Sequence, residues 1–288
     1  MVGSPQGRRC VAKGEGGKAE MRTSNQEPTT RNPDPGIHRT FPALQLSLLL
    51  ATGCAGGAPV VSWPTGTNTN SVPPMSRTQA EAALQEALGV RPLGSNRFEV
   101  GEVIIDAQRR TVTFPARVNM RRAVIEYALV TSYGKTHESL LATEVQPQQV
   151  HLACLLLGLA PRQISGPPDT AEPVPAANAV AIEVSWDTPR SVRHRLFELV
   201  SIKKPNTEEP GAPLSRGPWY YNGSQMVESG FAAQVEGSII SLIRDPAALV
   251  NNPRRERDDD ELHVPNTKWL PPEGTPVRVV LRFLPGSR

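Results

Sequence analysis

The chain has 288 residues, with 31 Lys and Arg against 28 Asp and Glu, and only three Cys. Three Cys are too few for a disulfide framework or for a zinc site of four thiolates. Residues 1–53 hold seven of the basic and four of the acidic side chains, which leaves 24 of each in the rest of the chain. Nucleic-acid binding needs a concentrated basic face, so we expect no nucleic-acid partner.

The first 36 residues are polar, rich in Gly, Pro and Arg, and without a hydrophobic period. Such a segment cannot bury a core, so residues 1–36 are predicted to be disordered or to result from a wrongly assigned translation start. His38 and Arg39 then precede an apolar run over residues 41–52. A short basic flank followed by about a dozen apolar residues is typical of a secretory signal, and it is too short to span a membrane.

Cys54 directly follows this run and the small residues 51–53, an arrangement that resembles the lipobox of bacterial lipoproteins. Ala51 stands where that motif usually has Leu. The resemblance implies a signal peptide over residues 37–53 and a lipid anchor on Cys54, with acyl chains such as palmitate. It places the protein in the bacterial cell envelope, facing the periplasm or exposed at the surface. The alternative is a buried helix followed by an ordinary thiol.

The rest of the chain alternates between short structured segments and turns. Residues 54–75 predict a flexible tether, because Gly, Pro and Thr dominate them, and residues 76–96 predict a helix and a linker. A second helix is predicted over residues 148–157, after Pro147. Strand patterns occupy residues 98–105, 111–114, 124–130, 137–143, 179–186, 192–200, 219–221, 238–243 and 277–283.

These elements predict an α+β fold, a mostly antiparallel sheet with a few short helices, in one domain over residues 97–285. Residues 139–147 and 238–246 are similar, since each is an apolar strand followed by Pro and a helix start. Two related half-domains would explain that similarity, and chance would also explain it.

Several segments, taken in order, resemble the YdjY-type domain of bacterial proteins. The segments are Val112-Thr-Phe-Pro-Ala-Arg-Val-Asn119, Gly134-Lys-Thr-His-Glu-Ser-Leu-Leu141, His151-Leu-Ala-Cys-Leu-Leu-Leu-Gly158, Trp219-Tyr-Tyr-Asn-Gly-Ser224, Glu236-Gly-Ser-Ile-Ile-Ser241, Asp245-Pro246 and Leu270-Pro-Pro-Glu-Gly-Thr-Pro-Val277. The resemblance covers about residues 97–283 and implies an exported single domain. It supplies no established activity, no catalytic residue and no cofactor.

The densest group of reactive side chains is Lys135, His137, Glu138 and Ser139. With His151 they are candidates for a ligand or metal site, because two His and a carboxylate suit a transition metal. A serine nucleophile needs an oxyanion hole, and no Gly-x-Ser-x-Gly elbow is present, so no catalytic residue is assigned. The alternative is that these side chains fix a hairpin by hydrogen bonds.

Two further patterns have both a functional and a structural interpretation. The contiguous Trp219, Tyr220, Tyr221 and Asn222 would suit a glycan or peptide surface at a hairpin edge, or they pack in the core. The charged run over residues 254–261 would suit calcium, or it is a solvated loop in which Arg and Asp neutralise each other.

The function expected from these observations is that of an envelope lipoprotein. Its membrane contact is the lipid on Cys54, and its domain binds an envelope protein or glycan ligand through one sheet edge, without a cofactor. The alternative is a metal-binding or hydrolytic protein centred on His137, Glu138 and His151.

Overall fold

The computed structural model describes residues 86–187 and 190–284. Within these ranges most of the regular structure is β. The strands are β1 (Val90–Gly94), β2 (Arg97–Val100), β3 (Val103–Asp106), β4 (Thr111–Val118), β5 (Tyr127–Thr131), β6 (Ser139–Thr143), β7 (Ala179–Trp186), β8 (Val192–Arg195), β9 (Val200–Lys203), β10 (Pro210–Pro213), β11 (Trp219–Tyr221), β12 (Met226–Val227), β13 (Gly230–Phe231), β14 (Ser238–Ser241), β15 (Val250–Asn251), β16 (His263–Pro265) and β17 (Pro276–Phe283).

Three short α-helices lie within the same ranges: α1 (Pro147–Leu156), α2 (Leu196–Leu199) and α3 (Ala232–Glu236). Pro147 occupies the first turn of α1, where its missing N–H costs no hydrogen bond. Of the helix predicted within residues 76–96, only the last residues are described, and Glu86 and Ala87 are helical. Among the residues described, no helix is long and apolar enough to cross a membrane.

Eight strands close into a barrel. Their order is β4-β17-β7-β11-β15-β14-β5-β6, and β6 pairs again with β4. Strands β1, β2 and β3 extend the sheet beside β4, and β8 pairs with β7. Strands β9, β10 and β16 form a separate three-stranded sheet, and β12 and β13 form a small hairpin.

The predicted α+β fold is therefore wrong, because the domain is mostly β and its sheet is mixed. The prediction of a mostly antiparallel sheet is wrong because β5 pairs with β6, and β14 with β15, in the parallel direction. The sheet runs continuously around the barrel. After Pro246 the chain makes turns that lead into β15, where the repeat had predicted a helix.

Strand β4 closes the barrel because one of its edges has two partners. Residues 111–113 pair with β3, and Arg117 and Val118 pair with β6. Pro115, which has no N–H to leave unpaired, lies where the partner changes. Its carbonyl oxygen accepts a hydrogen bond from the Thr143 hydroxyl at 2.6 Å. This bond joins the two strands just beyond their short ladder.

The barrel encloses an apolar core. The strand predicted over residues 277–283 is confirmed, and its alternate residues Val277, Val279, Leu281 and Phe283 are buried. Helix α1 packs against β3 and β4 and buries Val150, Ala153 and Cys154. Burial raises the pKa of the Cys154 thiol, so the thiolate that would react is disfavoured.

The charged run at residues 254–261 is partly buried, which the solvated-loop interpretation did not anticipate. The Arg257 side chain is fully buried and donates hydrogen bonds to the carbonyl oxygens of Arg254, Pro167 and Thr170. Its guanidinium also lies 3.6 Å from the Glu172 carboxylate. A buried guanidinium needs acceptors for its N–H donors, and carbonyl oxygens of the loop at residues 167–172 supply two of them. Arg257 therefore holds this loop against the barrel.

Gly237 is expected to be much less tolerant of Ala than Gly274. Both residues have positive φ, at 74° and 81°, so both substitutions introduce backbone strain. A Cβ at Gly237 would also overlap the Thr131 hydroxyl and lie 2.9 Å from the Gly134 Cα, whereas a Cβ at Gly274 would meet no atom within 4 Å. Urea unfolding should give a loss of about 1–2 kcal/mol for Gly274→Ala and a larger loss for Gly237→Ala. Equal losses would contradict the close approach.

His263 should make the domain sensitive to acid. Its ring is fully buried, both ring nitrogens lack a hydrogen-bond partner among the described residues, and burial lowers its pKa to about 4. Between about pH 6.5 and pH 4, His263 is protonated in the unfolded chain, where a His pKa is near 6.5, but is neutral in the folded protein. Stability from this residue is therefore complete above pH 6.5 and is lost as the pH falls from 6.5 towards 4.

Urea unfolding of wild type and His263→Phe at pH 7.5, 5.5 and 4 isolates this effect, because the carboxylates are common to both proteins. We expect the wild type to lose roughly 3 kcal/mol more than the variant over this range, at about 1.4 kcal/mol per pKa unit. Parallel losses in the two proteins would show that His263 does not carry the acid sensitivity.

Candidate functional site

The polar group predicted around residues 135–139 lies on the connection between β5 and β6, where Thr136–Glu138 form a 3₁₀ turn. The Lys135 Nζ is 3.3 Å from the Tyr127 hydroxyl and 3.4 Å from the Glu138 Oε1. Nζ also lies 5.1 Å from the Tyr127 ring centroid, within cation–π range. The His137 side chain is 78% exposed, and its Nε2 is 3.7 Å from the Glu138 Oε2.

These contacts stabilise the charged ammonium group of Lys135 beside the neutral phenol of Tyr127. Partial burial disfavours the charged Lys135, but the Tyr127 hydrogen bond and the Glu138 charge outweigh burial and raise the pKa of Lys135. Burial and the Asp245 charge raise the pKa of Tyr127 to about 12. Neither group is poised to accept a proton near neutral pH, so this pair is unsuited to general base catalysis.

Ser139 and His151 belong to different surroundings. Ser139 is buried at the start of β6, and its hydroxyl donates to the Leu141 carbonyl oxygen at 2.8 Å. His151 lies on α1, where its Nδ1 is 2.9 Å from the Tyr221 hydroxyl and its ring centroid is 4.9 Å from that of Phe231. Burial lowers the pKa of His151, which favours the neutral ring at neutral pH.

No metal site is formed by these candidates in the structure. Within residues 86–187 and 190–284, no three side chains of His, Cys, Asp or Glu converge on a position that could hold a metal ion. The structure brings Lys135, His137 and Glu138 together and leaves Ser139 and His151 with other partners.

The predicted aromatic surface is not exposed. Trp219, Tyr220, Tyr221 and Asn222 are each at most 1% exposed. Strand β11 lies between β7 and β15 within the barrel, where the hairpin interpretation had placed it at an edge. The Asn222 side chain donates to the carbonyl oxygens of Pro246 and Ala248 at 3.1 and 3.2 Å, so it anchors the chain before β15. These four residues therefore build the core.

Exposed apolar side chains are concentrated elsewhere, around α1 and α3. Nine large apolar side chains of the described residues are exposed, and six of them lie in this region. We call these six the apolar surface: Leu88, Tyr133, Leu155, Met226, Val227 and Val235. Monomeric proteins rarely expose large contiguous apolar patches without a function.

The contacts of the supporting elements connect these residues. Helix α1 packs against α3, and the Tyr133 hydroxyl donates to the Gln234 carbonyl oxygen of α3 at 3.0 Å. Phe231 pairs with Met226 across the β12–β13 hairpin and also contacts His151 of α1. The apolar surface therefore extends from α1 over the hairpin to α3 and the turn after β5.

An open groove of about 450 Å³ adjoins the apolar surface. One wall is formed by residues 87–89 and 100–101, and the other by Leu152 and Leu155 of α1. Gln148, Gln149 and His151 add polar groups to the α1 wall. Apolar walls with a few polar groups are the usual composition of a ligand groove.

A sequence alone could not have identified the apolar surface. Met226 and Val227 lie in a two-residue strand, and Val235 lies in a five-residue helix, so neither element shows a clear hydrophobic period. Leu155 belongs to an apolar run whose other members Val150, Ala153 and Cys154 are buried. The sequence showed apolar residues here but not which of them the fold leaves exposed.

A family model described as the YdjY domain matches residues 103–282. The chain belongs to the YdjY domain family. The match begins at β3 and ends one residue before the end of β17, so the YdjY domain covers all eight strands of the barrel. No curated protein and no solved structure shows significant similarity to the chain.

The groove is built partly from outside the YdjY domain. Its α1 wall lies within the matched residues, whereas residues 87–89 and 100–101 precede them. Five residues of the apolar surface lie in the YdjY domain, and Leu88 lies before it. The domain and the segment that leads into it therefore form this site together.

Proposed function

We propose that this chain is a bacterial envelope lipoprotein whose YdjY domain binds a partner protein at the apolar surface. In this proposal residues 37–53 are the signal peptide, Cys54 carries the lipid, and residues 54–75 are the tether, all of which lie outside the residues that the structure describes. Membership in the YdjY domain family supports the domain assignment in this proposal and no more, because the family has no established activity.

The observation that carries the binding proposal is the concentration of exposed apolar side chains. Met226 is 74% exposed, Tyr133 51% and Val235 49%, and all three lie on elements connected through α3. Exposing them to water is unfavourable by about 25 cal/mol for each Å² that a partner would cover. Aromatic residues and Met are also enriched in protein interfaces.

The groove beside α1 adds a concave region to the apolar surface. Its volume of about 450 Å³ accommodates one or two apolar side chains of a partner, and Gln148 and Gln149 line it with side-chain donors and acceptors. A protein partner fits better than a glycan, because five of the six side chains of the apolar surface are aliphatic and Tyr133 is its one aromatic ring.

Photo-crosslinking in the producing cells tests the binding proposal. A photoreactive residue at Leu155 should give a discrete adduct with another protein, because Leu155 is 39% exposed at the groove. Leu93 is the matched control, since it is 40% exposed near the tip of the β1–β2 hairpin, away from the groove. Adding Met226→Asp should abolish the Leu155 adduct without changing the melting temperature. Equal adducts at both positions, or none at Leu155, would refute the proposal.

The lipid anchor is tested separately. Cells labelled with radioactive palmitate should incorporate label into the wild-type chain and not into Cys54→Ser. Cys154→Ser serves as the control, because that thiol is buried and should not be acylated. Label retained by Cys54→Ser would remove the anchor from the proposal, while the crosslinking result would stand by itself.

A further inference from the structure

A second site lies on the outer face of the barrel, where three arginines surround one glutamate. Glu183 of β7 pairs with Arg195 of β8 and with Val280 of β17 in the sheet register. Its Oε1 is 3.0 Å from the Arg195 Nη1, and its Oε2 is 3.8 Å from both the Arg193 Nη1 and the Arg282 Nη2. The Glu183 side chain is only 7% exposed.

This cluster has more positive charge than it can neutralise internally. Three guanidinium groups carry fifteen N–H donors in total, and one carboxylate offers about four acceptor positions. The Arg195 and Arg282 side chains remain 44% and 38% exposed. The net charge of the cluster is about +2, although the chain after residue 53 is neutral as a whole.

A cavity of about 260 Å³ opens beside two of these arginines. Arg195 and Arg282 form its polar part, and Ile182, Phe197, Trp219 and Leu284 supply most of its apolar wall. The Trp219 indole N–H is buried without a hydrogen-bond partner among the described residues.

We propose that this cavity binds a small anionic amphiphile, with its phosphate or carboxylate group held by Arg195 and Arg282. The planar guanidinium group matches the oxygen spacing of both anions and binds them through paired hydrogen bonds. Phe197 and Leu284 contact the apolar part of the ligand. Glu183 keeps the arginines in place and does not compete fully, because it neutralises only one of the three charges.

The proposal is independent of the partner-binding surface, because it rests on strands β7, β8 and β17. Its ligand could be a soluble molecule or the head group of a membrane lipid, since both present the same chemistry. Octyl phosphate, below its critical micelle concentration, is a suitable probe of the shared chemistry, and vesicles distinguish the two sources.

Isothermal titration of the full chain with octyl phosphate should give saturable binding. Arg282→Gln should raise the Kd at least tenfold, because it removes one of the two guanidinium groups at the cavity. The fold should tolerate this change, since Glu183 keeps Arg195 as its closest partner at 3.0 Å. Arg117→Gln is the matched control, because Arg117 is 41% exposed and pairs with Glu144 on the β4–β6 side of the barrel.

Raising the salt concentration from 50 to 300 mM should also weaken binding, as expected for an exposed ion pair. Absence of saturable binding, or the same Kd in wild type, Arg282→Gln and Arg117→Gln, would overturn the proposal. Inorganic phosphate that binds as tightly as octyl phosphate would overturn the assignment of an amphiphile.

Sedimentation with vesicles completes the test. Arg282-dependent binding to phosphatidylglycerol vesicles, without binding to phosphatidylcholine vesicles, would support the site with a lipid head group as its ligand. Octyl phosphate binding without any Arg282-dependent vesicle binding would support the site with a soluble amphiphile. The Arg282 dependence is required because the full chain also contains the apolar residues 41–52.

Discussion

Closure of the barrel through the short β4–β6 ladder is the constraint on which the other features depend. Closure gives each of the eight barrel strands a neighbour on both sides, and here it depends on one edge of β4 exchanging β3 for β6. Strand β4 does this at Pro115, and the Thr143 hydroxyl bond to the Pro115 carbonyl secures the new partner. Since α1 follows β6 directly, the same closure decides where α1, the groove and the apolar surface lie.

Two parallel pairs explain why the predicted mostly antiparallel sheet was wrong. The strand patterns at residues 124–130 and 137–143 are close in sequence, and one interpretation had the polar side chains between them fix a hairpin, yet β5 and β6 are parallel neighbours. Because β5 and β6 are parallel, the connection over residues 132–138 must run back along the length of β5. That length is about four residue steps, roughly 13 Å, and seven extended residues can span almost twice that distance. Local residue types do not encode this return. It places Lys135 beside Tyr127 of the preceding strand, so the polar cluster results from the crossover.

Much of the remaining fold could be predicted because burial on one face of a strand leaves a period of two. The strand at residues 277–283 was predicted from such a pattern, and the helix after Pro147 was predicted from another local signal. Burial on both faces leaves no such period. Trp219, Tyr220 and Tyr221 are adjacent and all buried, because β11 lies inside the barrel sheet and Asn178 donates to the Tyr221 carbonyl oxygen from the covering loop. Arg257 is buried for a related reason, since the carbonyl oxygens of Pro167 and Thr170 in a distant loop accept its hydrogen bonds.

Neither the apolar surface nor the arginine cluster could be found from the composition of the chain. Average charge is a sum over the chain, whereas binding depends on which side chains a fold places together. The register of β7 with β8 and β17 places Arg193, Arg195 and Arg282 around one glutamate, although the three come from segments almost 90 residues apart. The apolar surface is assembled in the same manner from the turn after β5, α1, β12 and α3. Neutral composition therefore argues against an extended basic face such as nucleic acid requires, but it says nothing against a compact anion site, which needs only two well-placed guanidinium groups.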